Sequence, residues 1–497
     1  MSATPAIAEA PRTSHAFADA SEVRPLYLDG GWHEGGTPLD VIDPATGVAF
    51  ARVATVDGAG VRRAIDRAEA AWPAWRMLSG KQRGAFLNRI ADALERRVEQ
   101  IALTITRENG KPLAQSRGEV AMSVDHLRWF AEEARRAYGR VVPPQADGKR
   151  HVVVRQPVGV VAAISPWNFP LVLAVRKVAP ALAAGCPVVL KPASATPLSA
   201  LHLAEAVHEA GLPAGVFQVV VGNAREIAAA MFAHPACRKV TFTGSTPVGR
   251  ELMRLAADGI KKLSLELGGN APVLVFDDAD LGQAVEGALI TKFRNSGQSC
   301  IAANRIYVQR GIYDRFVDAF VARVRALTVG AGSVDGVAVG PLINEAAVTH
   351  ALEHIEAACG EGARVLCGGG RLERGGGHYL EPTVLADVPS RSRCMTEETF
   401  APIAPVIAFD DEQEAIALAN DTPYGLAAYV FTTNLSRAWR VAEALEAGTV
   451  GVNDAVPTTS QVPFGGVKES GLGRELGSEG LDAFLETKHI AFGGIDP

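Results

Sequence analysis

HVVVRQPVGVVAAI (151–164) leads into RKVAPALAAG (176–185), and the pattern recurs three more times: PVVLKPA (187–193) before PLSALHLAEAVHEAG (197–211), GVFQVVVG (215–222) before AREIAAAMFAH (224–234), and KVTFTG (239–244) before PVGRELMRLAAD (247–258). Runs of Val, Ile and Leu without polar alternation belong to strands buried on both faces, and each is followed by an alanine-rich stretch of helical period. Such βαβα order predicts a doubly wound parallel sheet from residue 152 to about residue 257. Beyond Glu266 the order returns in APVLVF (271–276), LGQAVEGALITKF (281–293), ANRIYVQR (303–310) and DRFVDAFVARVRAL (314–327), which predicts a second α/β domain. Two segments stand apart: YGRVVPPQADGKRHVVV (138–154), which has the form of a hairpin, and the tail FLETKHIAFGG (484–494). Both read as edge strands that can pair with another subunit, so a homo-oligomer, dimer or tetramer, is expected.

Length and composition narrow the function. A chain of 497 residues holds two or three domains with sizeable cores. Charged residues make up 21% and the net charge is −6, so there is no electrostatic reason to expect nucleic acid or an anionic membrane as partner. No run approaches the ~20 apolar residues that span a bilayer. The six cysteines are scattered without a C-x-x-C pair, which argues against a disulfide framework or a structural zinc site and fits a reducing cytoplasm. Residues 1–20 read as a loose arm. Small-molecule chemistry is the class that remains.

FRNSGQSCIAANR (293–305) sets Cys300 behind Asn295, Ser296, Gly297, Gln298 and Ser299, polar surroundings that suit a reactive loop at a helix start better than a packed core position. A thiolate nucleophile needs a base and an oxyanion site. LSLELGGNAP (263–272) supplies Glu266 between two leucines, where apolar walls raise a carboxyl pKa toward that of a general base. ISPWNFP (164–170) supplies Asn168, whose amide and the Cys300 backbone N–H make a pair of oxyanion donors. FTGSTPVGR (242–250) places Gly244 and Gly249 where a strand meets a helix N-terminus, a position for a pyrophosphate, although it is neither G-x-G-x-x-G nor a Walker A loop. Lys191, at the end of its own strand, can meet ribose or phosphate.

PWNFP, KPAS-x-TP, FTGS, ELGG, GQSC, EETFAP and PFGGVKESGLGRE, in that order and spacing, resemble the aldehyde dehydrogenase superfamily over about residues 23–494. The resemblance implies an α/β fold with a Rossmann-type NAD(P)-binding domain (21–136 and 158–265), a catalytic domain (266–480) and a small β oligomerisation element (137–157 and 481–497). It implies Cys300 as nucleophile, Glu266 as general base, Asn168 with the Cys300 N–H as oxyanion hole, and Lys177 in proton traffic. The same resemblance places Lys191 and Glu398 on the cofactor riboses, Gly244 and Ser245 at the pyrophosphate, and Trp167 and Phe400 against the cofactor; no metal is implied. The chain departs from the common F-G-P, reading Phe400-Ala401-Pro402, and the added methyl is expected to alter cofactor fit. Ser194 stands where NAD-preferring relatives often carry a glutamate, so NADP is accepted beside NAD and is the candidate for preference.

Arg176 and Arg294 match the arginine pair that binds the distal carboxylate in enzymes similar to succinate-semialdehyde dehydrogenase, and guanidinium forks suit such a group. Thr458 stands where a third contact, a serine, is expected, which keeps glutarate semialdehyde or another ω-anionic aldehyde open as alternative substrate. Ala302 replaces the second cysteine of relatives with a redox disulfide, so no such switch is expected. His350 and His354 read as a solvated helix face, and the Asp277-Asp278-Asp280 run as a turn and helix start. Outside this class, a cofactor-free thiol esterase leaves Lys191 and Glu398 without a purpose, and a non-catalytic structural relative should have lost a catalytic residue.

Overall fold

A computed structural model describes residues 22–494. The expected N-terminal arm lies outside the described residues, as do positions 495–497 of the tail. Two large sheets carry the site. The first has the order Phe217–Val219, Val188–Lys191, Val160–Ile164, Cys237–Thr243, Lys262–Glu266, Gly471–Leu472, with every pair parallel except the last. The second runs Arg364–Cys367, Thr383–Ala386, Ile403–Phe409, Ala303–Gln309, Ala271–Val275, Ala427–Phe431, Thr449–Val452, and only its first pair is antiparallel.

Strand periodicity explains the layering. Along the first sheet Val161, Ala163, Val188 and Leu190 enter one core while Val160, Ala162, Ile164 and Val189 enter the core on the opposite face. The second sheet repeats this: Ala271, Val273 and Val275 face one way, Leu274 and Phe276 the other. Successive side chains of a strand point to opposite faces, so a strand clothed by helices on both sides must be apolar at every position. Val160–Ile164 and Ala271–Val275 are buried throughout. Helix Val172–Ala184 is also buried along its whole length, ending at Gly185 in a left-handed conformation (φ 99°) that few residues besides glycine adopt readily.

The hairpin forms as Arg140–Val142 antiparallel to Lys149–Pro157, and the tail strand Leu485–Gly493 pairs with the other edge of Lys149–Pro157 over nine residues. This three-stranded ribbon leaves Tyr138, Val141 and Phe492 exposed.

Candidate active site

Strand order in the first sheet reverses between Val160–Ile164 and Cys237–Thr243, since the chain's next strands lie on opposite sides of that pair. Ligands of doubly wound sheets bind at the carboxyl ends of the strands flanking such a reversal. The loop holding Trp167 and Asn168 follows the first of these strands, Gly244 and Ser245 follow the second, and Glu266 ends the next, in register with Thr243. The second sheet contributes Cys300 from the segment between helix Leu281–Phe293 and strand Ala303–Gln309.

That segment is tightly bent. Asn295, Ser296 and Gly297 take consecutive left-handed conformations (φ 50°, 57° and 75°), a strained run for the two non-glycine residues. Polar contacts over-determine it: the Asn295 amide donates to the carbonyls of Asn168 (2.8 Å) and Gln298 (3.2 Å), and the Asn295 backbone N–H donates to Gln115 (2.8 Å). Gly269 must be glycine for the loop to close, because a Cβ there would stand 2.2 Å from the Cys300 carbonyl oxygen. Cys300 therefore does not open a helix, contrary to the expectation from its polar neighbours; a turn precedes it and a strand follows. No helix N-terminus lowers its pKa. Burial, followed by the nearby Glu266 carboxylate, pushes the thiol well above its ordinary value, so the side chain rests as a thiol and would need a base to become a thiolate.

Glu266 lies beside it. Burial pushes its carboxyl up to about 6, with Glu475 adding to the rise and the Cys300 thiol, Lys177 and Arg176 opposing it. Neither carboxylate oxygen has a hydrogen bond of good geometry among the described residues, the thiol being a loose neighbour. A carboxyl with a pKa near 6 and unengaged oxygens is mostly ionised at neutral pH and able to accept a proton. Asn168 donates its side-chain amide to the Gln298 carbonyl (3.2 Å), which leaves one of its two N–H groups uncommitted next to the thiol. The Asn168 carbonyl accepts from the fully buried Lys111 ammonium (2.6 Å), which is paired with Glu119 (2.6 Å). Lys177 sits behind Glu266, donating to Thr243 Oγ1 and to Glu475 Oε1, each at 2.6 Å. Glu475 ends the PFGGVKESGLGRE motif, which gives it no role in sequence; its link to Lys177 spans 298 residues and is visible only in the folded chain.

Cys300 lines two cavities. One, of about 180 Å³, is walled by Trp167, Thr243, Gly244, Ser245, Gly268, Glu398 and Phe400. Its floor is backbone. A Cβ at Gly244 would stand 2.3 Å from the Phe242 ring, and one at Gly268 would stand 2.8 Å from Glu398 Oε2. Ser245 caps helix Thr246–Gly259 without using its side chain, so the N–H groups of the first turn have no side-chain acceptor there. Phe400 holds a left-handed conformation (φ 46°) with its ring edge-on to Trp167, centroids 5.5 Å apart. Glu398 accepts from Gly269 N–H (3.0 Å), yet burial pushes its carboxyl up to about 8. Such a trough of glycines, helix N–H groups and a half-buried carboxyl fits a dinucleotide. Lys191 and Ser194 sit at and just past the end of their strand, outside this lining; burial lowers the Lys191 ammonium to about 8. The Ala401 methyl joins the apolar core of the second sheet and does not line the cavity, so the expected effect on cofactor fit has no contact to act through.

The second cavity, about 50 Å³, brings Arg176, Arg294 and Thr458 together with Cys300, between Phe169, Met122 and Phe464. Among the described residues neither arginine has an ion pair with a carboxylate. Arg176 Nε meets His126 Nε2 (3.3 Å), and Arg294 Nη2 lies 4.0 Å from Met122 Sδ, its guanidinium over the Phe169 ring at 5.3 Å. Glu119, whose field reaches Arg294, is already paired with Lys111. The Thr458 hydroxyl is buried without a hydrogen-bond partner.

Two side expectations resolve differently. Asp280 caps helix Leu281–Phe293 and Asp278 accepts from the Asn434 backbone and the Thr432 hydroxyl, as a turn and helix start require. His354, expected on a solvated face, is buried, its Nε2 3.1 Å from that of His350, because the short helix Arg393–Thr396 packs over that side.

The family model for the aldehyde dehydrogenase family matches residues 32–490. The chain belongs to the aldehyde dehydrogenase family. It is 50% identical to the glutarate-semialdehyde dehydrogenase of Pseudomonas aeruginosa, over 94% of this chain and 97% of that one. It is 49% identical to the NADP(+)-linked succinate-semialdehyde dehydrogenase of Escherichia coli K12, over the same shares. The crystal structure of succinate-semialdehyde dehydrogenase from Burkholderia pseudomallei superposes with a TM-score of 0.94 at 46% identity, covering 97% of this chain and 99% of that one.

Proposed function

We propose that the chain oxidises an aldehyde bearing an anion at its far end, succinate semialdehyde to succinate first, with glutarate semialdehyde as the alternative. The observation that carries this reading is the pair of guanidinium groups, without carboxylate partners, sharing one cavity with the nucleophile and an unsatisfied Thr458 hydroxyl. Guanidinium charge shielded from water without a carboxylate, and a buried hydroxyl without a partner, are costly unless a ligand completes them. The names of the relatives support the same substrate class.

Cys300 attacks the aldehyde carbon as Glu266 takes the thiol proton, forming a thiohemiacetal whose oxyanion is held by Asn168 and the Cys300 N–H. NAD(P), when bound, supplies the hydride acceptor. Lys177, with Glu475, is placed to pass the first proton on from Glu266, which restores the carboxylate. The Cys300 thioester that remains is attacked by a water whose proton goes to Glu266, the C–S bond breaks, the acid leaves, and the Cys300 thiolate takes that proton back as the thiol. Lys191 and Glu398 would hold the riboses, Gly244 and Ser245 the pyrophosphate, and Trp167 and Phe400 the sides of the cofactor. Ser194 leaves room for a 2′-phosphate, so NADP is taken beside NAD. Residues 21–136 and 158–265 serve as the cofactor domain and 266–480 as the catalytic domain. The ribbon of 137–157 and 481–497, with its exposed Tyr138, Val141 and Phe492, serves as the subunit contact of a dimer or tetramer. The six free cysteines suit a reducing cytoplasm.

Initial rates of NAD(P)H formation with succinate semialdehyde, glutarate semialdehyde and propanal, for wild type and Arg294→Ala, test this. The anionic aldehydes should win, and the variant should lose roughly 10- to 100-fold of that advantage, the worth of one charged hydrogen bond. Equal rates with propanal in the wild type would remove the substrate assignment.

A further inference from the structure

A chain of hydrogen bonds runs out from Arg176 through residues that no catalytic step uses. An arginine offers only donors, so at the 3.3 Å contact between Arg176 Nε and His126 Nε2 the imidazole nitrogen must accept. The His126 proton then resides on Nδ1, which donates to Ser460 Oγ at 2.7 Å. The Ser460 hydroxyl in turn donates to Asp125 Oδ2. Every direction in this chain is fixed by the one before it. His126 and Ser460 are each 2% exposed and Arg176 is 7% exposed, so solvent does not compete for the bonds among these three, while the exposed Asp125 ends the chain at the surface.

We propose that Asp125, Ser460 and His126 form a relay that orients the Arg176 guanidinium toward the anionic end of the aldehyde, with His126 as the specificity-positioning residue. The inference rests on the anionic-aldehyde reading above and extends it to residues outside the cavity lining. Its logic lies in the charge of the acceptor. A carboxylate in the place of His126 would orient Arg176 equally well but would neutralise it, and the cavity would lose its attraction for an anion. A neutral imidazole fixes the rotation of the guanidinium through Nε while leaving the full charge and four N–H groups for the cavity. Burial, and then Arg176 itself, hold the imidazole in its neutral form.

Phe464, 4.9 Å beneath the guanidinium carbon, holds the plane from below. The relay also ties three separate pieces of chain: His126 lies on helix Leu113–Glu133, Arg176 on helix Val172–Ala184, and Ser460 two residues beyond Thr458 on the loop that closes the cavity. Holding Ser460 thus also registers the Thr458 hydroxyl. Replacing a histidine that merely fills the core would leave the preference for anion over neutral aldehyde unchanged.

The test is the ratio of kcat/KM for succinate semialdehyde over that for propanal, measured on the full chain for wild type, His126→Phe, His126→Gln, Ser460→Ala and Arg294→Ala. His126→Phe keeps volume but removes the acceptor, and the ratio should fall about tenfold, through KM for the anionic substrate, as expected for a lost charged hydrogen bond. Gln can place an amide oxygen near the position of Nε2 and should recover part of that loss, while Ser460→Ala should lower the ratio about threefold. If His126→Phe does not fold, Ser460→Ala and His126→Gln decide. An unchanged ratio in the folded His126 and Ser460 variants, beside a collapsed ratio in Arg294→Ala, overturns the relay and leaves the clamp standing. A ratio untouched by Arg294→Ala as well overturns both.

Discussion

The two cavities that meet at Cys300 are built from different materials. The proposed cofactor side is walled by strand ends, glycines and helix N–H groups within the first sheet, joined by the half-buried Glu398 and Phe400. The substrate side is walled by side chains projected from helices and a loop, drawn from residues 122, 169–176, 294–301 and 455–464. A backbone trough holds a shape that many sequences share, whereas a side-chain cavity can be refitted one residue at a time without touching the fold. Cys300, the proposed nucleophile, sits on the boundary, so changes there should spare both cavities.

That boundary yields the largest expected effects. Cys300→Ala should lower aldehyde oxidation by ~10⁴-fold or more, because no other group can form the covalent intermediate. NADP should still quench tryptophan fluorescence through Trp167, and loss of that signal would show that the cavities are not independent. Glu266→Gln should reduce turnover by roughly 10²- to 10⁴-fold, the usual worth of a general base. In the wild type the base form of Glu266 is lost as pH falls through about 6, so the rate should drop on the acid side of that value. The variant's pH profile should lack that limb. An acid limb that persists in Glu266→Gln belongs to another group and would move the base elsewhere.

The contrast also decides what could be read without coordinates. Strands such as Val160–Ile164 announce themselves because both faces are buried, and the glycine-rich turns carry the cofactor trough in contiguous motifs. The substrate side is barely legible: Arg176 and Arg294 show through as a pair, but His126 and Ser460 look like ordinary helix and loop residues until folding brings them within 2.7 Å. Glu475 escaped for the same reason, its partner being nearly 300 positions away. The polar residues before Cys300 read as a helix start because such residues often mark one. Three left-handed residues in a row have no simple composition signature when only one of them is glycine. The burial of His354 is illegible in sequence because its covering helix, Arg393–Thr396, is remote along the chain.

A smaller effect is expected in the trough itself. Gly268→Ala sets a methyl where Glu398 Oε2 now lies 2.8 Å away, so the carboxylate must shift from the ribose it would bind. The KM for NADP should rise about 10- to 30-fold, the worth of one charged hydrogen bond, and the preference among aldehydes should stay as it is. If aldehyde preference moved together with cofactor KM, the trough and the side-chain cavity would be one unit and the comparison would break.

Ser194→Glu sharpens the comparison at its gentlest point. Ser194 lies just beyond Lys191 in a turn, outside the cavity that touches Cys300, so a change there cannot reach the reacting carbon by contact. An introduced carboxylate would repel a 2′-phosphate and accept from a 2′-hydroxyl, raising KM for NADP and lowering it for NAD. A like-charge contact near a solvated protein surface is worth about 1–2 kcal/mol, so the NADP/NAD ratio of kcat/KM should swing about tenfold toward NAD. Because half-exposed charges are screened, the swing should shrink as salt is raised, whereas a purely steric effect of the longer side chain would ignore salt. A salt-independent change would assign Ser194 to shape, and no change at all would place the 2′-group away from this turn.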